Sequence, residues 1–258
     1  MIEASRLPKI MDIEFHATIK ILPESELILS EPLNYSSRSG VKVEMSNHDK
    51  DEDVFVAKMK IAHDNIDEAR EICELELINL SNFLSWKHYL KILGSRINGY
   101  EYSEKTDSMN AVVIAETLHM NDSVSIKKII ALQGMDGMKK TLEEGYDYHS
   151  FDVLTMWREA IADKSSASKF FQLYRLLECI HDGIRVNAEK WILKKNPNVP
   201  MRMSGKNGKG QVSIYTYLRD NVHYKENKFP YKEIKDNVPA FEGLVKEAIL
   251  EKYPELSN

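Results

Sequence analysis

The side chains best suited to chemistry lie together in Tyr217-Leu218-Arg219-Asp220-Asn221-Val222-His223-Tyr224. On a helix, Arg219 and His223 stand four residues apart and share one face, a turn from each other. A guanidinium held beside an imidazole can bind a phosphate and move a proton near neutral pH. The same pair can equally line a helix surface, with the Asp220 and Asn221 side chains bonded to nearby backbone. Spacing alone leaves both readings open. Around this stretch, residues 185–235 carry 12 basic and 4 acidic side chains. Such a balance suits a polyanionic partner, and it also describes many solvated surfaces.

Other chemistries find little support. The eight histidines are scattered, and no His-x-x-x-His, His-Glu-x-x-His or Cys-x-x-Cys occurs, so no zinc site is expected. Glu178, His181 and Asp182 fall within one helical turn and could ligate a metal, but the edge of an amphipathic helix explains them as well. There is no Gly-x-Ser-x-Gly nucleophile elbow and no dinucleotide-binding glycine fingerprint. Ser204 to Gly210 is a basic, glycine-rich loop without the spacing of a phosphate-binding P-loop, and no strand is expected before it. No cofactor is implied.

The totals fit these readings. The 258 residues are 43% hydrophobic and 29% charged, with a net charge of −5. That charge is uneven: residues 146–258 hold 18 Lys+Arg against 15 Asp+Glu, so the excess of acid lies in the first half. No run of 18 apolar residues exists to span a membrane, and Met1 to Lys9 lacks the character of a signal peptide. Cys73 and Cys179 each sit in an apolar helical pattern and read as buried thiols of a cytoplasmic protein.

The elements that must position these residues follow from periodicity. Ile13, Phe15, Ala17, Ile19 and Ile21 alternate with polar residues, which is a half-buried strand. Leu27 to Leu29, Val41 to Met45 and Asp53 to Ala62 read as further strands, making an antiparallel meander with one wet face. A helix starts near Asp64 and Asp67 and runs to about Leu84, with Ile66, Ala69, Cys73, Leu77, Leu80 and Leu84 as its apolar stripe. Trp86, His88 and Tyr89 then suit a core or an interface. Residues 99–110 look loop-like, Val112-Val113-Ile114 predicts a fifth strand, and Ser123 to Leu132 and Gly137 to Glu144 predict helices.

Past a soft boundary near Gly145 the pattern turns helical. Phe151 to Ile161, then Lys169 to Ile180, then Ile184 to Ile192 each keep one apolar face, and Pro197 and Pro200 end the third. Ile214 to Val222 is a helix bearing the Arg219/His223 pair, and Asn237 with Pro239 opens a last one through Phe241, Leu244, Val245, Ala248 and Ile249. The expected fold is α+β: residues 1–145 an antiparallel β-sheet with packed helices, residues 146–258 an all-α bundle of four or five helices.

This second half resembles the HEPN superfamily, in its Apea-like and methylamine-utilisation MauJ-like branches. Three features carry the likeness: the helix Lys169-Phe170-Phe171-Gln172-Leu173-Tyr174-Arg175-Leu176-Leu177-Glu178, the polar glycine-rich loop leading into Ile214 to Leu218, and Arg219 to His223 followed by an amphipathic helix. The strands leading into Ala69 to Ser85 also look like the front of MauJ-like chains.

The resemblance implies a HEPN-like bundle that dimerises around its Arg/His helix. In active members this makes a metal-independent ribonuclease, often of bacterial antiviral defence. In that chemistry His223 would move the proton of the 2′-hydroxyl or leaving oxygen, Arg219 would hold the scissile phosphate, and Asn221 would help position the substrate. Arg202, Lys206, Lys209 and Lys225 would meet RNA. The family motif puts four to six residues between Arg and His, whereas three stand here, Asp220, Asn221 and Val222. One residue displaces the imidazole by about 1.5 Å of rise and 100° of turn, and Asp220 adds negative charge where a polyanion would approach. The short spacing favours a cytoplasmic accessory module that binds RNA or a partner protein over a catalytic effector.

Overall fold

A computed structural model describes residues 10–23, 28, 29, 31–104, 129, 130, 139, 140, 142, 143, 148–204, 210–222 and 230–257. The chain divides into two compact units, Met1–Asp147 and Tyr148–Asn258. Together they make a mixed α+β protein.

The first unit is built on β1 (Met11–Ile21), β3 (Leu33–Ser36), β4 (Lys42–Asn47), β5 (Val54–His63) and β6 (Ile92–Glu104). They form one antiparallel sheet in the order β3-β4-β5-β1-β6. A separate two-residue strand, β2 (Ile28–Leu29), pairs in parallel with β7 (Ile129–Ile130). The alternation of β1 sends Ile13, Phe15, Ala17, Ile19 and Ile21 into the core, each no more than 2% exposed. Burying a side chain of this size contributes about 1.5–3 kcal/mol.

Helix α1 (Ile66–His88) packs on β1, β5 and β6 through Ala69, Cys73, Leu77, Leu80 and Leu84. Its cap is Asn65, one residue later than the acidic pair suggests. The Asn65 side-chain oxygen accepts from the Asp67 and Glu68 amides, which satisfies two of the orphan donors of the first turn. The helix continues through Trp86 to His88 and stops where Tyr89 takes a left-handed conformation at φ 57°. Cys73 is fully buried, and burial pushes its thiol up to about 12, whereas Cys179 is exposed and not the buried thiol its pattern suggested.

Two further expectations change here. Residues 99–104 belong to β6 rather than to a loop, and β3 pairs with β4 across the turn at Gly40. The run Val112 to Ile114 lies outside the described residues. Within the expected helix Ser123 to Leu132, Ile129 and Ile130 are strand, while 139, 140, 142 and 143 are helical as the pattern of 137–144 predicts.

A buried carboxyl gives the first unit a pH signature. Glu76 on α1 is 5% exposed and accepts a hydrogen bond from the Tyr35 hydroxyl at 2.9 Å. Burial raises its pKa, against the pull of the hydrogen bonds from Tyr35 and Ser37. Because the folded value lies above the unfolded one, the group's contribution is complete below about pH 4.3 and is lost as pH rises through the raised value. The urea midpoint of the wild type relative to Glu76→Gln should therefore fall between pH 5 and pH 8. An equal difference at both pH values would mean that this carboxyl titrates as if exposed.

The second unit has five helices among its described residues: α2 (Tyr148–Ala162), α3 (Ser166–Ile180), α4 (Arg185–Lys195), α5 (Ile214–Val222) and α6 (Tyr231–Lys252). A short hairpin, β8 (Met201–Ser204) with β9 (Gly210–Ser213), precedes α5, so a strand does stand before the glycine-rich loop. The chain reverses between α3 and α4 through left-handed Asp182 and Gly183. Helix α6 starts at Tyr231 rather than at Asn237, and Pro239 lies inside it. Ile234 and Val238 are buried ahead of Phe241 and Val245, and this stripe carries the helix past the missing proline N–H.

Phe241 is the centre of this core. Its ring lies 4.6 Å from that of Tyr215, 4.9 Å from that of Phe170 and 5.8 Å from that of Tyr174. Lys169 and Glu242 add a half-buried ion pair of 2.7 Å between α3 and α6. Among the described residues no helix is long and apolar enough to cross a membrane.

Candidate functional site around Arg219

Three helices bring two polar side chains each to one place, and each pair is spaced four residues apart. Helix α3 supplies Tyr174 and Glu178, α4 supplies Arg185 and Glu189, and α5 supplies Thr216 and Asp220, with Arg219 between the latter's turns. The helix α5 is only nine residues long and would be marginal alone. Its first turn is held from outside.

Ser213 caps α5: its hydroxyl oxygen accepts from the Thr216 amide at 3.3 Å. A capping box would place a glutamate at the position of Thr216 to reach back to the cap amide. Here Glu189 of α4 takes that role across the fold. Its carboxylate accepts from the Ser213 amide and the Ser213 hydroxyl, both at 2.6 Å, and from the Thr216 hydroxyl. Thr216 has then given its only proton, so the Tyr174 hydroxyl donates to the Thr216 oxygen at 2.6 Å. The chain of donors ends on an anion at a helix N-terminus, where the macrodipole favours it. Burial pushes the Tyr174 hydroxyl up to about 12, so it stays a donor across the physiological range.

One turn further on, Arg219 is committed to carboxylates. Its guanidinium donates to Glu178 at 3.0 Å and to Asp220 at 3.3 Å, and it stands 5.8 Å from the Tyr174 ring centre. Asp220 also pairs with Arg185 at 2.6 Å. Two arginines and two carboxylates thus alternate in one network, with little positive charge left over for a phosphate.

The expected site residues divide accordingly. Arg219 is in place on α5, but its partners are Glu178, Asp220 and the Tyr174 ring. Asn221 lies in α5, and its side chain is not among the described atoms. His223, Lys206, Lys209 and Lys225 lie outside the described residues. Arg202 is on β8, exposed, with Glu233 3.4 Å from its guanidinium. Of the metal candidates, Glu178 is taken by Arg219, and the His181 ring lies tilted against Trp191 with ring centres 5.4 Å apart. Burial first, and then the Lys252 charge, lowers the His181 pKa. Among the described residues no group of histidine, cysteine and carboxylate side chains could hold a metal ion.

The basic window is also less basic in space than in sequence. Lys195 is paired with Glu247 and Glu251, and Arg219 with Glu178, all acids from outside residues 185–235. Sequence reading missed Glu189 and Thr216 altogether. Ser213 just ahead of Ile214 was the one local sign that a cap was needed. No protein-family model matches the chain, and neither does any curated protein or solved structure.

Proposed function

We propose that the second unit is a HEPN-like module that binds rather than cleaves, serving as an accessory subunit of a bacterial antiviral defence system. RNA is the first ligand to test and a partner protein the second. The observation that supports this reading is the placement of Arg219 between Glu178 and Asp220. A catalytic arginine must offer its donors to the developing charge of a phosphoryl group. Here it would first have to leave two carboxylates, and Asp220 would remain beside the incoming polyanion. The motif with three intervening residues points the same way. Lys190, Lys194, Lys232 and Lys235 stay exposed and could meet a phosphate backbone through charge alone. Dimerisation around α5 belongs to the same proposal, as the resemblance implies it.

The test is incubation of labelled single-stranded RNA and tRNA with the full chain in EDTA, beside Arg219→Ala and His223→Ala variants. The expected result is no cleavage, with RNA retained at low salt and released steeply as salt rises. His223→Ala should bind within about twofold of wild type. Cleavage by the wild type that both variants lose would overturn the binding reading in favour of a metal-independent ribonuclease. Neither cleavage nor retention would exclude RNA and leave the partner protein, to be identified by co-purification.

A further inference from the structure

The outer face of the first unit's sheet, opposite α1, carries a second arrangement that the Arg219 network does not explain. Strand register sets its side chains in rows. In one row Ser36 is opposite Lys42, Lys42 opposite Lys60, and Lys60 opposite Glu14. In the next, Asn34 is opposite Glu44, Glu44 opposite Lys58, and Lys58 opposite His16. Lys60 takes Glu14 as its partner at 2.8 Å. Lys42 is therefore left directly across from a like charge on the same face, an arrangement that costs stability unless an anion shares it. Neither Lys42 nor Lys58 makes an ion pair among the described residues.

Residues of these rows line an open groove of about 300 Å³, whose lining also includes Lys139 and Glu143. That volume is at the small end of the range for small-molecule sites. Four lysines, Lys42, Lys58, Lys60 and Lys139, are among the residues lining it, and lysine binds phosphate as a mobile point charge. Glu44 and Glu143 share the lining. They repel an extended polyanion, yet as acceptors they suit hydroxyl groups.

We propose that this groove binds a small phosphomonoester whose body carries hydroxyl groups, a sugar phosphate or a mononucleotide. The phosphate lies among the lysines and the hydroxyls donate to Glu44 and Glu143. This site is separate from the Arg219 network and does not depend on the reading given for the second unit.

The experiment is calorimetric titration of the full chain, free of phosphate buffer, with ribose 5-phosphate, AMP, inorganic phosphate and ribose. Ribose 5-phosphate or AMP should bind saturably with a Kd at or below about 1 mM, and the tighter of the two names the ligand class. Inorganic phosphate and ribose should each bind at least tenfold more weakly. The double variant Lys42→Gln/Lys58→Gln should lose at least tenfold in affinity while its Tm stays near that of wild type, since the Lys42 change ends its opposition to Lys60 and offsets the loss of Lys58 across from Glu44. Inorganic phosphate binding as tightly as ribose 5-phosphate would overturn the assignment of hydroxyl recognition. The absence of saturable binding, or binding that the double variant leaves unchanged, would overturn the site.

Discussion

Phe241→Ala is expected to lower the stability of the second unit by about 3–5 kcal/mol, enough to unfold much of it at 37 °C. The ring is fully buried and stands within 6 Å, centre to centre, of three other aromatic rings from two other helices. Removing it costs the transfer of the ring itself, the aromatic pair energies, and a cavity that Tyr215, Phe170 and Tyr174 cannot all collapse into. The consequences should reach the Arg219 network, because Tyr174 is common to both. Its ring packs on Phe241, its hydroxyl donates to Thr216, and its face stands near Arg219. Urea denaturation followed by tryptophan fluorescence would measure the loss, and Trp157 and Trp191 both report from this unit. Phe241→Leu, which keeps most of the volume, should lose about half as much or less. Equal losses for the two variants would mean that this ring is not a packing centre.

What could be read from the chain depended on the range over which each signal acts. The strand β1 and the stripe of α1 announce themselves because every second or every third to fourth residue is apolar. Strand β6 hides because Gly94, Ser95, Asn98 and Gly99 dilute its alternation. Its register against β1 also shifts at His16/Ala17, where Asn98 is the extra residue. Pro239 misled for a related reason. Locally it looks like a helix start, whereas Ile234, five residues ahead of it, and Val238, directly before it, are buried and hold the helix together. At the site, the sequence offers Arg219 only the neighbours within a turn of its own helix. Its closer partner is Glu178, 41 residues earlier, and no local pattern could disclose that pairing. The charge window has the same limit of range, since it does not count Glu247 and Glu251, which pair with Lys195 from another helix.

Glu189 is where the network around α5 is most exposed to a single change. Glu189→Ala removes the acceptor of three donors at once, and Ser213 and Thr216 are both fully buried. The Ser213 hydroxyl can turn to Thr216, 3.3 Å away, but the Ser213 amide then has no acceptor among the groups now bonded to it. A hydrogen bond to a charged group contributes about 1.5–3 kcal/mol, and a helix cap about 1 kcal/mol, so a loss of about 3 kcal/mol is expected. Glu189→Gln keeps one acceptor oxygen but adds two donors and removes the charge facing the helix N-terminus. Its loss should be about half as large. Hydrogen exchange separates this from general unfolding: amides of 214–222 should lose protection in Glu189→Ala while those of 166–180 keep most of theirs. If α5 retains its protection, the helix is held by its packing on Tyr174 and Phe241, and Glu189 is only a satisfied surface carboxylate. If it frays selectively, then the position of Arg219 depends on a glutamate of the preceding helix. In that case the same substitution should release Arg219 from Glu178, and binding by this face should change with no alteration to the arginine itself.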